Sequence, residues 1–451
     1  MKALKMNYWV LALFVGLMFV TVSCDDEDDK TMEDNPIESS QSITAIAASN
    51  NDFSILVSAL QKVGLDDDLD QSGDFTVFAP TNSAFNSLLD ELGVSSLDDI
   101  SDEVLTEVLL YHVMSGSKMA SNLQTGYYNS LSAGPMDGYM LSFYVDMSTL
   151  KINNRAMISQ TDIEAANGVI HVIDKVILPM SITDHAISNE NFSSLVSAVV
   201  KAELAETLDS DENQFTVFAP VNSAFDSFLE SNDLTFDALT KETLTPILLY
   251  HVLGNVIPAS MVESGYVSTL ASAFDNNINL KVDVADAVML NSSAKVIVTD
   301  VVATNGIIHA IDQVIVPPTI VDIALQNSNF SILVDALIKA ELVDDLSGDG
   351  PFTVFAPTND AFEDLFEALQ ISSLDDLSKE DLIPVLLAHV VSANAVSTGL
   401  TNGTVPTLNA EKEIMVNVDN GVIIDNSIKV VAADIQGLNG VIHVIDQVIV
   451  P

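Results

Sequence analysis

A chain of 451 residues is too long for one hydrophobic core and divides most naturally into about three domains. Hydrophobic residues make up 48% of it, enough for packed cores, and the 6% aromatic content leaves most of that packing to Val, Ile, Leu and Ala. With 64 acidic against 16 basic residues the net charge is −48, which excludes nucleic-acid binding, disfavours docking on anionic lipid headgroups and favours solubility and basic or divalent partners.

The N-terminus reads as an address. Lys2 and Lys5 precede an uncharged apolar run from Tyr8 to Val22, 15 residues long. A membrane-spanning helix needs roughly 20, so the run has signal-peptide length. It ends Thr21-Val22-Ser23-Cys24, which resembles a bacterial lipoprotein cleavage site. Residues 1–23 are therefore expected to be a signal peptide and Cys24 the lipidated residue, with two acyl chains giving stable attachment. Cys24 is the single cysteine, so an intrachain disulfide is ruled out. Asp25-Asp26-Glu27-Asp28-Asp29 resembles the surface-export signal of Bacteroidetes lipoproteins. That resemblance implies an exported outer-membrane lipoprotein exposed at the cell surface. Residues 24–42 read as an acidic flexible tether.

Beyond the tether the chain repeats itself three times. Phe-Thr-Val-Phe-Ala-Pro occurs at 75–80, 215–220 and 352–357, with spacings of 140 and 137. Asn-Gly-(Val/Ile)-Ile-His-(Val/Ala)-Ile-Asp occurs at 167–174, 305–312 and 439–446. A period near 138 residues is a whole domain, so the repeats are beads in series rather than solenoid units. Breaks near Pro179 and Pro317-Pro318 place the domains at 43–180, 181–318 and 319–451, joined by short, stiff links.

Within the first copy, Ile43 to Leu60 has apolar residues at helical spacing and predicts a helix. Phe75-Thr76-Val77-Phe78 predicts a strand. Thr81 or Asn82 then caps a helix through Phe85, Leu88 and Leu89. A further helix carries Leu105, Val108 and Leu109. Residues 127–178 read mainly as strands, with Asn167-Gly168 a turn and Val169 to Leu178 an apolar strand. Helices first and strands later make an α+β domain.

The boxes Phe75 to Phe85 and Asn167 to Pro179 resemble the two conserved boxes of the fasciclin domain, and Tyr111-His112 resembles that family's Tyr-His pair. The second copy has Tyr250-His251, and the third departs with Ala388-His389. The resemblance implies three tandem fasciclin-like domains, each a wedge-shaped β-sandwich with surrounding helices. It also implies extracellular adhesion: homophilic contact, matrix or integrin binding in animals, surface attachment in microbes. The family's link between integrin binding, the Tyr-His pair and Asp-Ile motifs brings in Asp322-Ile323.

Six of the seven histidines fall at repeat positions. His171 lies in an apolar strand three residues before Asp174, with no second His or Cys nearby. It therefore reads as a buried neutral imidazole rather than a metal ligand, and His309/Asp312 and His443/Asp446 follow suit. Tyr111, His112, Tyr250, His251 and His389 are candidates for binding or for packing against the first box near Asn82. Asp66, Asp68 and Asp70 have the alternate spacing of a calcium loop. However, Gln71 stands where Gly is required and Val77 where Glu is, so a solvated loop and no metal are expected. No nucleophile elbow, dinucleotide fingerprint or phosphate loop appears, so neither an enzyme nor a cofactor is expected. The expected function is a lipid-anchored surface adhesion or interaction protein whose tandem domains make multivalent contact with matrix, glycan or other cells, the partner being an extracellular protein or polysaccharide or the same protein on another cell. A non-adhesive glycan-binding or accessory envelope lipoprotein is the alternative.

Overall fold

The computed structural model describes residues 41–451 except Asp211. The expected leader, Cys24 and nearly all of the acidic tether lie outside the described residues.

The apolar run from Ile43 to Leu60, expected as one helix, forms two: α1 (Ile43–Ser49) and α2 (Ser54–Val63). Asn50 separates them. Its backbone is extended and its side chain accepts the Asp52 N–H at 2.9 Å. An asparagine offers the backbone a local alternative to the helical ladder, and Asn189 and Asn327 break the other two copies in the same way. The acidic stretch expected as a loop is a short helix, α3 (Asp66–Asp70). After β1 (Phe75–Pro80), the Thr81 hydroxyl accepts the Ala84 N–H and caps α4 (Asn82–Leu92). Ser101 caps α5 (Asp102–Tyr111).

The remaining strands are β2 (Val113–Ser115), β3 (Gly126–Ala133), β4 (Met140–Asp146), β5 (Lys151–Ile152), β6 (Ala156–Ala165) and β7 (Gly168–Ile173). Their order is β2-β1-β7-β6-β5-β4-β3, and both later repeats keep it. The two sequence boxes lie side by side in parallel, from Phe75 opposite Gly168 to Pro80 opposite Ile173. A Cβ on Gly168 would sit 2.0 Å from the Phe75 carbonyl oxygen, and its φ is +149°, so only glycine fits.

β6 pairs with β5 at one end and β7 at the other, with register shifts around Gln160 and Asp162 at φ +63°. The bulged strand serves both halves of a sandwich. Between the halves, Phe78 and Ile173 pack with Phe143 and Ile152. On the opposite face Val77, Ala79, Ile170 and Val172 pack against the helices. Each repeat is thus α+β, a folded sheet with a helical layer.

The expected strand from Val169 to Leu178 stops at Ile173. Asp174 accepts the Met157 N–H at 2.7 Å, and the chain then leaves the sheet. Val176 and Ile177 stay buried, but the Ile177 N–H bonds a histidine, not a neighbouring strand. Burial rather than pairing explains that part of the apolar run.

Candidate functional site

The second-box histidines are built into the sheet. His171 is fully buried, with Nε2 2.9 Å from the Lys118 carbonyl and Nδ1 accepting the Asp162 N–H at 3.2 Å. His309 makes the same bonds to Ile257 and Asp300, and His443 to Ala395 and Asp434. A ring that donates from one nitrogen and accepts at the other is neutral, and burial holds all three below the ordinary histidine pKa. Asp174, Asp312 and Asp446 are not their partners. Each carboxylate accepts the N–H of Met157, Lys295 or Lys429, 2.7 Å away in every repeat.

The Tyr-His pair ends α5. His112 lies 2.6 Å from the Val108 carbonyl through Nδ1 and accepts the Ile177 N–H at Nε2, while its own carbonyl accepts the Phe78 N–H. His251 and His389 repeat the arrangement with Ile315 and Ile449. Burial depresses each of the three to a pKa of about 4. Asn82 is not the partner of this pair; it clamps the start of α2, accepting from Ile55 and donating to Asn51. Tyr111 is fully buried and donates to the Ser142 carbonyl at 2.6 Å, and Tyr250 donates to the Asn279 carbonyl at 3.0 Å. Neither phenol faces solvent.

Ser142 leads to a feature that the sequence reading did not anticipate. Its hydroxyl oxygen accepts the N–H of Val302, in the second repeat, at 2.9 Å. Asn279 accepts the N–H of Gln436, in the third, at 2.7 Å. These residues are equivalent: Ser142 and Asn279 each lie three residues before the valine opposite Gly126 or Gly265. Val302 and Gln436 occupy one position beside the second-box strand. The Tyr127 hydroxyl accepts from Asn189 Nδ2 at 3.2 Å, and that of Tyr266 from Asn327 Nδ2 at 3.4 Å. Neighbouring repeats are therefore fastened by one joint used twice. The outgoing face of a repeat presents a strand-opening tyrosine and a small polar acceptor. The incoming face of the next presents an asparagine and a backbone N–H. Val302 and Ile307 join the inner core of the first repeat, so the first joint is apolar as well as hydrogen-bonded.

The first joint also buries His185, the one histidine outside the repeat pattern. It packs edge-on to Tyr127, and Ile323 replaces it in the second joint. Ile323 is 1% exposed and the exposed Asp322 caps its own helix, so the Asp-Ile dipeptide lies in a helix with its isoleucine buried rather than in an exposed loop.

No group of His, Cys, Asp and Glu side chains able to hold a metal occurs among the described residues. Asp70 accepts from the Ser42 and Thr44 hydroxyls, which lower its pKa, and Asp209 accepts equivalently from Ser181 and Thr183. An apolar cavity of about 70 Å³ lies under the helices of the second repeat, lined by Leu195, Val199, Val217 and Leu248. Its counterparts in the first and third repeats, lined by Leu60 and Leu337 where the second has Val199, measure about 20 Å³.

The model of the fasciclin domain matches residues 51–179, 190–317 and 328–451. The transforming growth factor-beta-induced protein ig-h3 of Sus scrofa is 28% identical over 358 residues, covering 77% of this chain and 49% of that protein. Human periostin is 27% identical over 361 residues, covering 78% of this chain and 41% of its own length. The chain thus spans about half or less of these two relatives. Protein sll1483 of Synechocystis is 44% identical over 133 residues, 30% of this chain and 73% of that one. Among solved structures, a domain pair from the insect cell adhesion molecule Fasciclin I is 16% identical with a TM-score of 0.39, covering 59% of this chain and 98% of that pair. With both boxes paired in parallel in every repeat and the domain matched three times over, the chain belongs to the fasciclin-domain family.

Proposed function

We propose that the protein is an exported adhesion or interaction module that presents three fasciclin domains as an oriented array, attached to the membrane through Cys24. The observation that carries this reading is the duplicated joint. Two equivalent side chains, Ser142 and Asn279, accept equivalent backbone N–H groups from the next repeat. An array held in this way presents its exposed faces at fixed spacing, so weak single contacts gain from high effective concentration. On this reading the domain boundaries fall near residues 180 and 318, just before the Ser181 and Thr319 caps that open the helical layers of the second and third repeats.

Family membership supports an interaction role over catalysis. The repeat-position histidines also support it, because both ring nitrogens of each are engaged inside the fold and none is left to meet a substrate. The partner class is an extracellular protein or polysaccharide, or the same protein on another cell. Purified protein immobilised on beads, applied to cells, matrix proteins and a glycan array, tests this reading. Saturable attachment that weakens as repeats are removed is expected. Retained sugar binding with no attachment to cells or matrix would point to an accessory role, and no saturable binding to any of these surfaces would contradict the proposal.

A further inference from the structure

The joint is heterologous: the outgoing face of one repeat meets a different, incoming face on the next. Such an interface closes into a ring or runs on as an open filament unless something stops it. The chain carries one more copy of each half, the incoming face of the first repeat and the outgoing face of the third.

Both halves depart from the joint at its centre. The residue equivalent to Ser142 and Asn279 in the third repeat is Glu413, three before Val416, which pairs with Gly403. The residue equivalent to Val302 and Gln436 in the first repeat is Glu164, opposite Val169. Both glutamates are exposed, whereas Ser142, Val302 and Gln436 are at most 3% exposed. Thr404 stands where Tyr127 and Tyr266 open the strand, while Asn50, equivalent to Asn189 and Asn327, is retained. We propose that these two faces are matching halves of a chain-to-chain joint that Glu164 and Glu413 hold open, so that this protein does not polymerise end to end.

If the third repeat of one chain docked on the first repeat of another as the internal joints do, the two carboxylates would meet at the position where Ser142 meets Val302. Bringing two like charges together there while stripping their water is strongly unfavourable, and the other two compared positions on these faces, Asn50 and Thr404, bring no positive charge to offset it. A single glutamate would suffice if the opposing residue were neutral and close-packed. The pair makes the block mutual, and it points to a charge-swap test.

Four forms of the full-length chain are compared by sedimentation at about 0.15 M salt, where the Debye length of about 8 Å screens the distant acidic surface but not a contact pair. The forms are wild type, E413K, E164K and E164K/E413K. Both positions are exposed, so circular dichroism should show all four folded. The expected result is a single-chain mass for wild type and for the double variant, and concentration-dependent head-to-tail association for each single variant, in which lysine meets glutamate. An uncharged, tyrosine-restored form, E164V/T404Y/E413N, should also associate. Wild type that associates as readily as the single variants would overturn the proposal, as would single and uncharged variants that all remain single chains. So would a double variant that associates like the singles, because the contact would then lie elsewhere.

Discussion

His185 and Tyr127 meet edge to face across the first joint, ring centroids 5.7 Å apart at 61°, and among the described residues neither imidazole nitrogen has a partner at good hydrogen-bond geometry. Burial holds that ring at a pKa of about 3, outweighing the nearby Val302 backbone, which acts the other way.

The first joint is therefore expected to be acid-sensitive and the second much less so. In an opened joint His185 regains its ordinary value of 6.5. The open state then binds the proton more tightly. The joint has full strength above pH 6.5 and loses about 1.4 kcal/mol per pH unit as pH falls towards 3. Tyr127 packs on the ring and Tyr144 packs on Tyr127, Asp184 precedes His185 in the chain, Asp146 and Glu190 act on Tyr144, and Ile323 takes the place of His185 in the second joint. Energy transfer between dyes on repeats one and two should fall between pH 6 and 4.5 before that between repeats two and three, and His185→Ile should remove the difference. Identical acid profiles for both joints would contradict this account.

The depressed histidines within each repeat predict a broader acid effect. His112, His251 and His389 are neutral in the fold, with a pKa of about 4, and recover the ordinary 6.5 on unfolding. Stability to urea should be level above pH 6.5 and decline from there towards pH 4, steepening as more sites take part. His389→Ala, which strands the Ile449 N–H and the Val385 carbonyl, should cost about 2–4 kcal/mol.

The phenol of Tyr111 fixes the backbone of the residue whose side chain makes the first joint, and Tyr250 does the same for the second. Tyr111→Phe should cost about 1–3 kcal/mol by leaving the Ser142 carbonyl unpaired. It should also loosen the first joint without touching the second, and Tyr250→Phe should do the reverse. Spin-label distances across each joint read this directly. The third repeat has Ala388 and Glu413 at these positions, so the tyrosine and the joint acceptor depart together.

Much of this was readable beforehand, for physical reasons. The boxes are long, apolar and β-branched, so they announce strands whatever surrounds them, and their repetition announces three domains. The break at Asn50 was not read because apolar spacing continues across it, and only the asparagine side chain competing for the backbone reveals it. Asp174 to Leu178 reads as strand because burial and strand pairing leave the same apolar pattern. The joint escaped because its acceptors, Ser142 and Asn279, differ in type and its donors are backbone groups. The signals on offer were His185, the one histidine out of register, and the change from Glu164 to Val302 to Gln436 when the copies are aligned.

The cavity of the second repeat supplies a stabilising change. Val199→Leu restores the residue type of Leu60 and Leu337. The added methylene fills part of the cavity and should add at most about 0.8 kcal/mol, read as a raised urea midpoint. A destabilised variant would mean the cavity walls cannot accept the extra methylene.

The most direct test of a rigid array built on one joint used twice is a pair of electron-spin distance measurements in a chain with Cys24 replaced by Ser. Labels go on equivalent exposed sites of the helix after the first box: Ser87 with Ser227, then Ser227 with Asp364. The account predicts two narrow distributions with closely matching means. Broad distributions, or two clearly different means, would show that the repeats are not held by one common joint and would contradict it.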